Sequence, residues 1–153
     1  MQKPPKTRAE AAAYIIEQIE ERGIKVHPSS RLMQMKRVLD RGYIDFENID
    51  FLVALESIRD MYQLRLILEE SSMATTGEFK ACLRKLLQDE SLPQDGNSHT
   101  PGRNTQFEMY LAAIASRAGL QPIEYAEPDV ICRINGARFR AYPITEPFFL
   151  FIV

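Results

Sequence analysis

A chain of 153 residues with 45% apolar and 26% charged side chains has the composition of a globular protein with a sizeable core, which excludes a disordered or fibrous chain. A formal net charge of -2 and a pI near 5.8 exclude any general attraction to nucleic acid or membrane, so a basic surface has to be local. Cys82 and Cys132 lie far apart with only His27 and His99 beside them, which excludes a zinc ribbon or a disulfide framework and leaves two reduced thiols.

The first helix is expected at Thr7-Arg8-Ala9-Glu10, a capping box in which threonine oxygen and glutamate carboxylate satisfy free backbone amides, and it should stop at Gly23. A second begins at Ser29 or Ser30, shows Leu32, Met35, Val38 and Leu39 on one face, and ends at Gly42. Its basic residues Arg31, Lys36, Arg37 and Arg41 form the other face, expected to be solvated, with contact to nucleic acid or an acidic partner as the alternative. Asn48 can cap a third helix running from Ile49 through Glu70, with Leu52, Leu55, Ile58, Met61 and Leu66 in apolar register. A fourth starts at Thr75-Thr76-Gly77-Glu78 and carries the stripe Phe79, Cys82, Leu83, Leu86 and Leu87. Four such helices pack as a bundle. They contain no phosphate loop, nucleophile motif or acid–histidine pair at helical spacing.

Ser91 to Arg103 is rich in Pro, Gly, Asn, Ser and Asp, and marks a linker. The expected organisation is a helical module over residues 1–90, a linker over 91–103 and a second module over 104–153. Beyond the linker, Phe107, Tyr110, Leu111, Ile114, Ala115 and Ala118 form an apolar helical stripe closed by Gly119, with Glu108 at its edge. Ile123 to Tyr125 is a short strand, and Pro128 opens another from Asp129 to Ile134.

Asn135-Gly136 then predicts a hairpin with a two-residue turn, since both turn positions need positive φ. That turn sets Ile134 opposite Ala137, Arg133 opposite Arg138, Cys132 opposite Phe139, Ile131 opposite Arg140, Val130 opposite Ala141 and Asp129 opposite Tyr142. One face is apolar; the other carries Asp129, Ile131, Arg133, Arg138, Arg140 and Tyr142. Opposed arginines repel, so a counter-charge is implied, supplied either by Glu124 or Glu127 or by a phosphate of nucleic acid.

From Arg103 to Phe139 the order of these pieces resembles the restriction-endonuclease-like family, nucleases of the PD-(D/E)xK type. The likeness rests on Arg103-Asn104-Thr105-Gln106-Phe107-Glu108 with Leu111-Ala112-Ala113, Ala118-Gly119, Glu127-Pro128-Asp129-Val130, and Asn135-Gly136 with Phe139. The resemblance implies an α+β protein: a helical N-terminal module followed by an incomplete α/β nuclease-like module. It implies that Glu108 and Asp129 are the catalytic carboxylates and bind Mg²⁺, and that DNA is contacted by Arg133, Arg138 and Arg140. The family's E-x-K would fall at Tyr142 and Ile144, neither of which can serve, so a truncated or degenerate member without efficient cleavage is expected.

The tail Phe148-Phe149-Leu150-Phe151-Ile152-Val153 is wholly apolar and strand-forming. It supports an alternative of another class, a helical protein-interaction module that forms a homodimer or docks through its C-terminal strand. No apolar run reaches membrane-spanning length, and the basic start Met1 to Lys6 lacks the apolar segment of a signal peptide, so a cytoplasmic location is expected.

Overall fold

The computed structural model describes residues 7–40, 51–70, 77–87, 101–120, 123–126, 129–134, 137–141 and 151–152, with side chains as far as Leu120. Five helices come first: α1 (Arg8–Glu21), α2 (Arg31–Leu39), α3 (Phe51–Glu69), α4 (Gly77–Leu86) and α5 (Pro101–Arg117). The starts of α1 and α2 follow local chemistry. Thr7 Oγ1 accepts from the Glu10 amide at 3.1 Å, while Glu10 Oε2 accepts from the Thr7 amide at 3.1 Å, a complete capping box. Ser30 caps α2 by accepting from the Met33 amide at 3.4 Å.

Two helices end on the same device. At Gly23, φ is 76°; its amide donates to the Glu20 carbonyl at 2.8 Å and the Ile24 amide to the Ile19 carbonyl at 3.4 Å. At Gly119, φ is 78°, and the matching bonds run from Gly119 to Ser116 and from Leu120 to Ala115, both at 2.9 Å. Both are Schellman closures, in which a left-handed glycine turns the last carbonyls inward.

The core is built from all five helices. Ile15, Ile19, Leu32, Leu64, Phe79, Leu83, Leu86 and Met109 are fully buried in one cluster. Burying each such side chain contributes about 1.5–3 kcal/mol before the entropy of ordering it is set against the gain. On α4 the expected stripe holds: Phe79, Leu83 and Leu86 are buried, with Cys82 and Leu87 partly so. On α3 the buried face is instead Ala54, Ser57, Asp60, Met61, Leu64, Ile67 and Leu68, and Leu52 and Leu55 are exposed.

The expected fold class is overturned here. Every side chain whose surroundings are described lies in one of the five helices or in the short segments bounding them, and these helices share one core. The segment meant to open a nuclease-like α/β module, α5, packs against α3 and α4, with Met109 and Ala113 inside that core. The described core is all-helical, and the picture of an α+β protein with a restriction-endonuclease-like module does not apply. Physically, the side that α5 buries is not the expected stripe but Gly102, Thr105, Gln106, Met109, Ala112 and Ala113. At about 100° per residue, that side lies nearly opposite Phe107, Leu111 and Ile114. Ile114 is 42% exposed, and Phe107, Tyr110 and Leu111 are half-buried.

After α5 the backbone pairs as an antiparallel meander of β1 (Ile123–Ala126), β2 (Asp129–Ile134), β3 (Ala137–Ala141) and β4 (Phe151–Ile152), in the order β1-β2-β3-β4. A meander has no crossover helix between parallel strands, the feature that defines an α/β layer. Strands β1 and β2 pack against α5. Arg41, Gly42, Asn48, Ile49, Thr75, Thr76, Glu127, Asn135, Gly136, Tyr142, Ile144, Phe148, Phe149, Leu150 and Val153, which bore on the sequence expectations, lie outside the described residues.

Candidate functional site

The most unusual chemistry in the helical core centres on Arg31. On α2, positions 31, 35 and 38 fall within about 60° of one another, so Arg31 occupies the middle of the face that buries Met35 and Val38. It is 2% exposed, beside Asp60 at 1% and Gln106 at 2%. The expectation that Arg31 lies on a solvated basic face is therefore corrected.

Arg31 Nε stands 3.5 Å from Asp60 Oδ2. Its Nη2 donates to the carbonyl of Leu86, the last residue of α4, at 3.3 Å, and also to Gln106 Oε1. The Gln106 amide nitrogen in turn donates to Asp60 Oδ1 at 3.0 Å and to Gln63 Oε1 at 2.7 Å. Only this orientation of the Gln106 amide works, since the reverse would set its NH₂ against a guanidinium and its oxygen against a carboxylate. One arginine thus joins α2, α3, α4 and α5.

Ion pairs flank this network along the seam of α3 and α5. Arg103 pairs with Glu56, and Glu56 with Arg59. At the far end, Arg117 meets Glu70 at 2.7 Å and Glu69 at 3.0 Å, while Arg65 meets Glu69 at 2.6 Å. Partners rise together along both helices, from Glu56 with Arg103, through Asp60 with Gln106, to Glu69 with Arg117. The two helices consequently run parallel, side by side. Burial would raise the Glu69 carboxyl, but hydrogen bonds and charge from Arg65 and Arg117 outweigh it and hold Glu69 below its ordinary 4.5. The hydrogen bonds that Arg117 donates to Glu70 and Glu69 push its guanidinium pKa up.

Two surfaces complete the helical part. A shallow open groove between α1 and α2 is lined by Ala13, Ile16, Glu17, Glu20, Glu21 and Lys36. On the outer side of α3, Phe51, Leu52, Leu55 and Tyr62 are 47–59% exposed.

Of the expected metal pair, Glu108 lies half-buried on the flank of α5, and Asp129 opens β2, where it pairs with Ala126. The elements bearing them pack together, since α5 lies against β2. Among the described residues no group of three His, Cys, Asp or Glu side chains could hold a metal ion. The side chain of Asp129 lies outside that description.

The hairpin register is the one a two-residue turn dictates: Arg133 opposite Arg138, Ile131 opposite Arg140, Cys132 opposite Phe139, Ile134 opposite Ala137 and Val130 opposite Ala141. Arg133, Arg138 and Arg140 therefore share one face of the sheet. Glu124 pairs with Ile131, and Phe151 of β4 pairs with Arg140, so both belong to that face as well.

No protein-family model, no curated protein and no solved structure matches this chain. The described core is helical, so the restriction-endonuclease-like α/β fold does not apply. Among the described residues no helix is long and apolar enough to cross a membrane.

The charge network of Arg31, Asp60 and Gln106 went unnoticed in the sequence. A signal was present: Arg31 shares the helical face of Met35 and Val38, and Asp60 shares that of Ser57, Leu64 and Ile67. Two opposite charges at the centres of two core-facing stripes suggest each other as partners.

Proposed function

We propose that this protein is a helical protein-interaction module that associates with a second copy of itself through its C-terminal strand. The observation carrying this reading is the place of β4 at the end of the order β1-β2-β3-β4. Its inner side pairs with β3, Phe151 opposite Arg140 and Ile152 opposite Phe139, and no described strand stands on its outer side. Native sheets blunt such edges with charge, proline or a bulge. The run Phe148–Val153 contains neither charge nor proline, which suits it to pair with an identical strand across a two-fold axis.

Size-exclusion chromatography with light scattering tests the reading over a range of concentrations. A dimer of twice 17.6 kDa is expected, reduced to monomer by Phe151→Lys and retained by Tyr62→Lys on the exposed side of α3. A concentration-independent monomer, or a dimer lost only in Tyr62→Lys, overturns it.

A further inference from the structure

The register of β2 and β3 leaves a charge problem that the sheet does not solve at its own pairing positions. Arg133 is directly opposite Arg138, and Arg140 follows two positions along β3. Opposed positions bring Cβ atoms to about 4.5–5.5 Å, where like charges destabilise a strand pair. Among the described pairs, no acidic position on the same face stands opposite an arginine. Asp129 pairs with Ala126, and Glu124 pairs with Ile131, which leaves β2 between Glu124 and Arg140. Three cationic positions thus gather in a patch about 5 Å across the strands and about 7 Å along one of them.

Two further facts select the kind of anion. Arg140 has Phe151 as its partner on β4, so an aromatic position adjoins the cationic ones on the same face. The chain as a whole carries a formal charge of -2, so attraction to an anion must come from this local gathering and not from the protein's general field. Cationic positions that track a backbone, with an aromatic position on which a base can stack, are the ingredients of single-strand nucleic-acid recognition.

We propose that the face of the sheet bearing Arg133, Arg138, Arg140 and Phe151 binds single-stranded nucleic acid, with backbone phosphates supplying the counter-charge to the opposed arginines. This surface shares Phe151 of β4 with the edge proposed for self-association, but its arginines lie on β2 and β3 and it does not depend on a second copy.

Fluorescence anisotropy with a labelled oligothymidylate of about 20 nucleotides tests it at low salt. Three phosphate contacts predict that log K falls with log salt at a slope of about -2. The telling variant is Arg138→Glu, which puts opposite charges at the opposed positions, so the hairpin is kept and the melting temperature does not fall. Binding should nonetheless weaken by about tenfold or more, because one contact is lost and the new carboxylate repels phosphate. Arg140→Gln, which leaves the opposed pair untouched, should weaken binding less and flatten the slope by about 0.7. Absence of binding by the parent, equal binding by parent and Arg138→Glu, or a preference for duplex DNA of the same length would overturn the proposal.

Discussion

Arg31 in the helical core and Arg133 with Arg138 in the sheet are two answers to one question, where the counter-charge of an arginine comes from. Around Arg31 the protein supplies it internally, from the Asp60 carboxylate, the Gln106 amide oxygen and the last carbonyl of α4. Desolvating those charges is costly, and the ion pair with Asp60 together with the two hydrogen bonds donated by Nη2 offsets part of that cost. In the sheet, pairing sets Arg133 against Arg138 and puts neither Asp129 nor Glu124 opposite them. A cation matched within the fold ties elements together. One left without a match at its described register positions is suited to an external anion.

The contrast is broken most forcefully at Asp60. Asp60→Ala strands the Arg31 guanidinium in the core, and a loss of about 3–5 kcal/mol is expected in urea unfolding. A loss below about 1 kcal/mol would mean that Arg31 reaches water and that the internal match is unimportant. Next comes the position of α5 between the two regions. Met109→Ala, on the side facing the helices, should cost about 2–5 kcal/mol. Ile114→Ala, 42% exposed on the other side, should cost under about 1 kcal/mol. Equal losses would show that both sides of α5 are equally buried.

The smallest effect is expected at Glu69, where the match is made in water. Its carboxyl is held below 4.5 in the folded protein, so the stabilisation from Arg65 and Arg117 is fully present above that value. It is lost as pH falls through the lowered folded value. Exposed pairs of this kind contribute under about 1 kcal/mol. The difference in melting temperature between parent and Glu69→Gln should therefore be small near neutrality and vanish in acid, as followed by circular dichroism.

What could be read in advance divides along physical lines. The capping box at Thr7, the Ser30 cap, the Gly23 and Gly119 closures and the hairpin register all depend on a few neighbouring residues, so local chemistry sufficed. The face that α3 and α5 bury was misjudged, because periodicity counts apolar residues and both helices bury polar ones. Asp60 and Gln106 become core residues only because Arg31, from a distant segment, is there to receive them. That same dependence hid the membership of α5 in the helical core, and short motifs near Glu108 and Asp129 carried a family resemblance without the fold to support it. A composition break over 91–103 was likewise no guide to where the core ends, since Met109 and Ala113 lie inside it.

The reach of Arg31 along the chain also bears on how the molecule assembles. Its partners lie 29 residues away at Asp60, 55 at Leu86 and 75 at Gln106. An intermediate of α1 to α3 can pair Arg31 with Asp60 but leaves that pair without the α4 carbonyl and the Gln106 amide. Docking of α4 and α5 therefore brings more than apolar area, since it adds two hydrogen bonds at Nη2 to a charge already removed from water. Half-folded forms are penalised accordingly, and the helices are expected to melt together in one transition rather than peel away from the end of the chain.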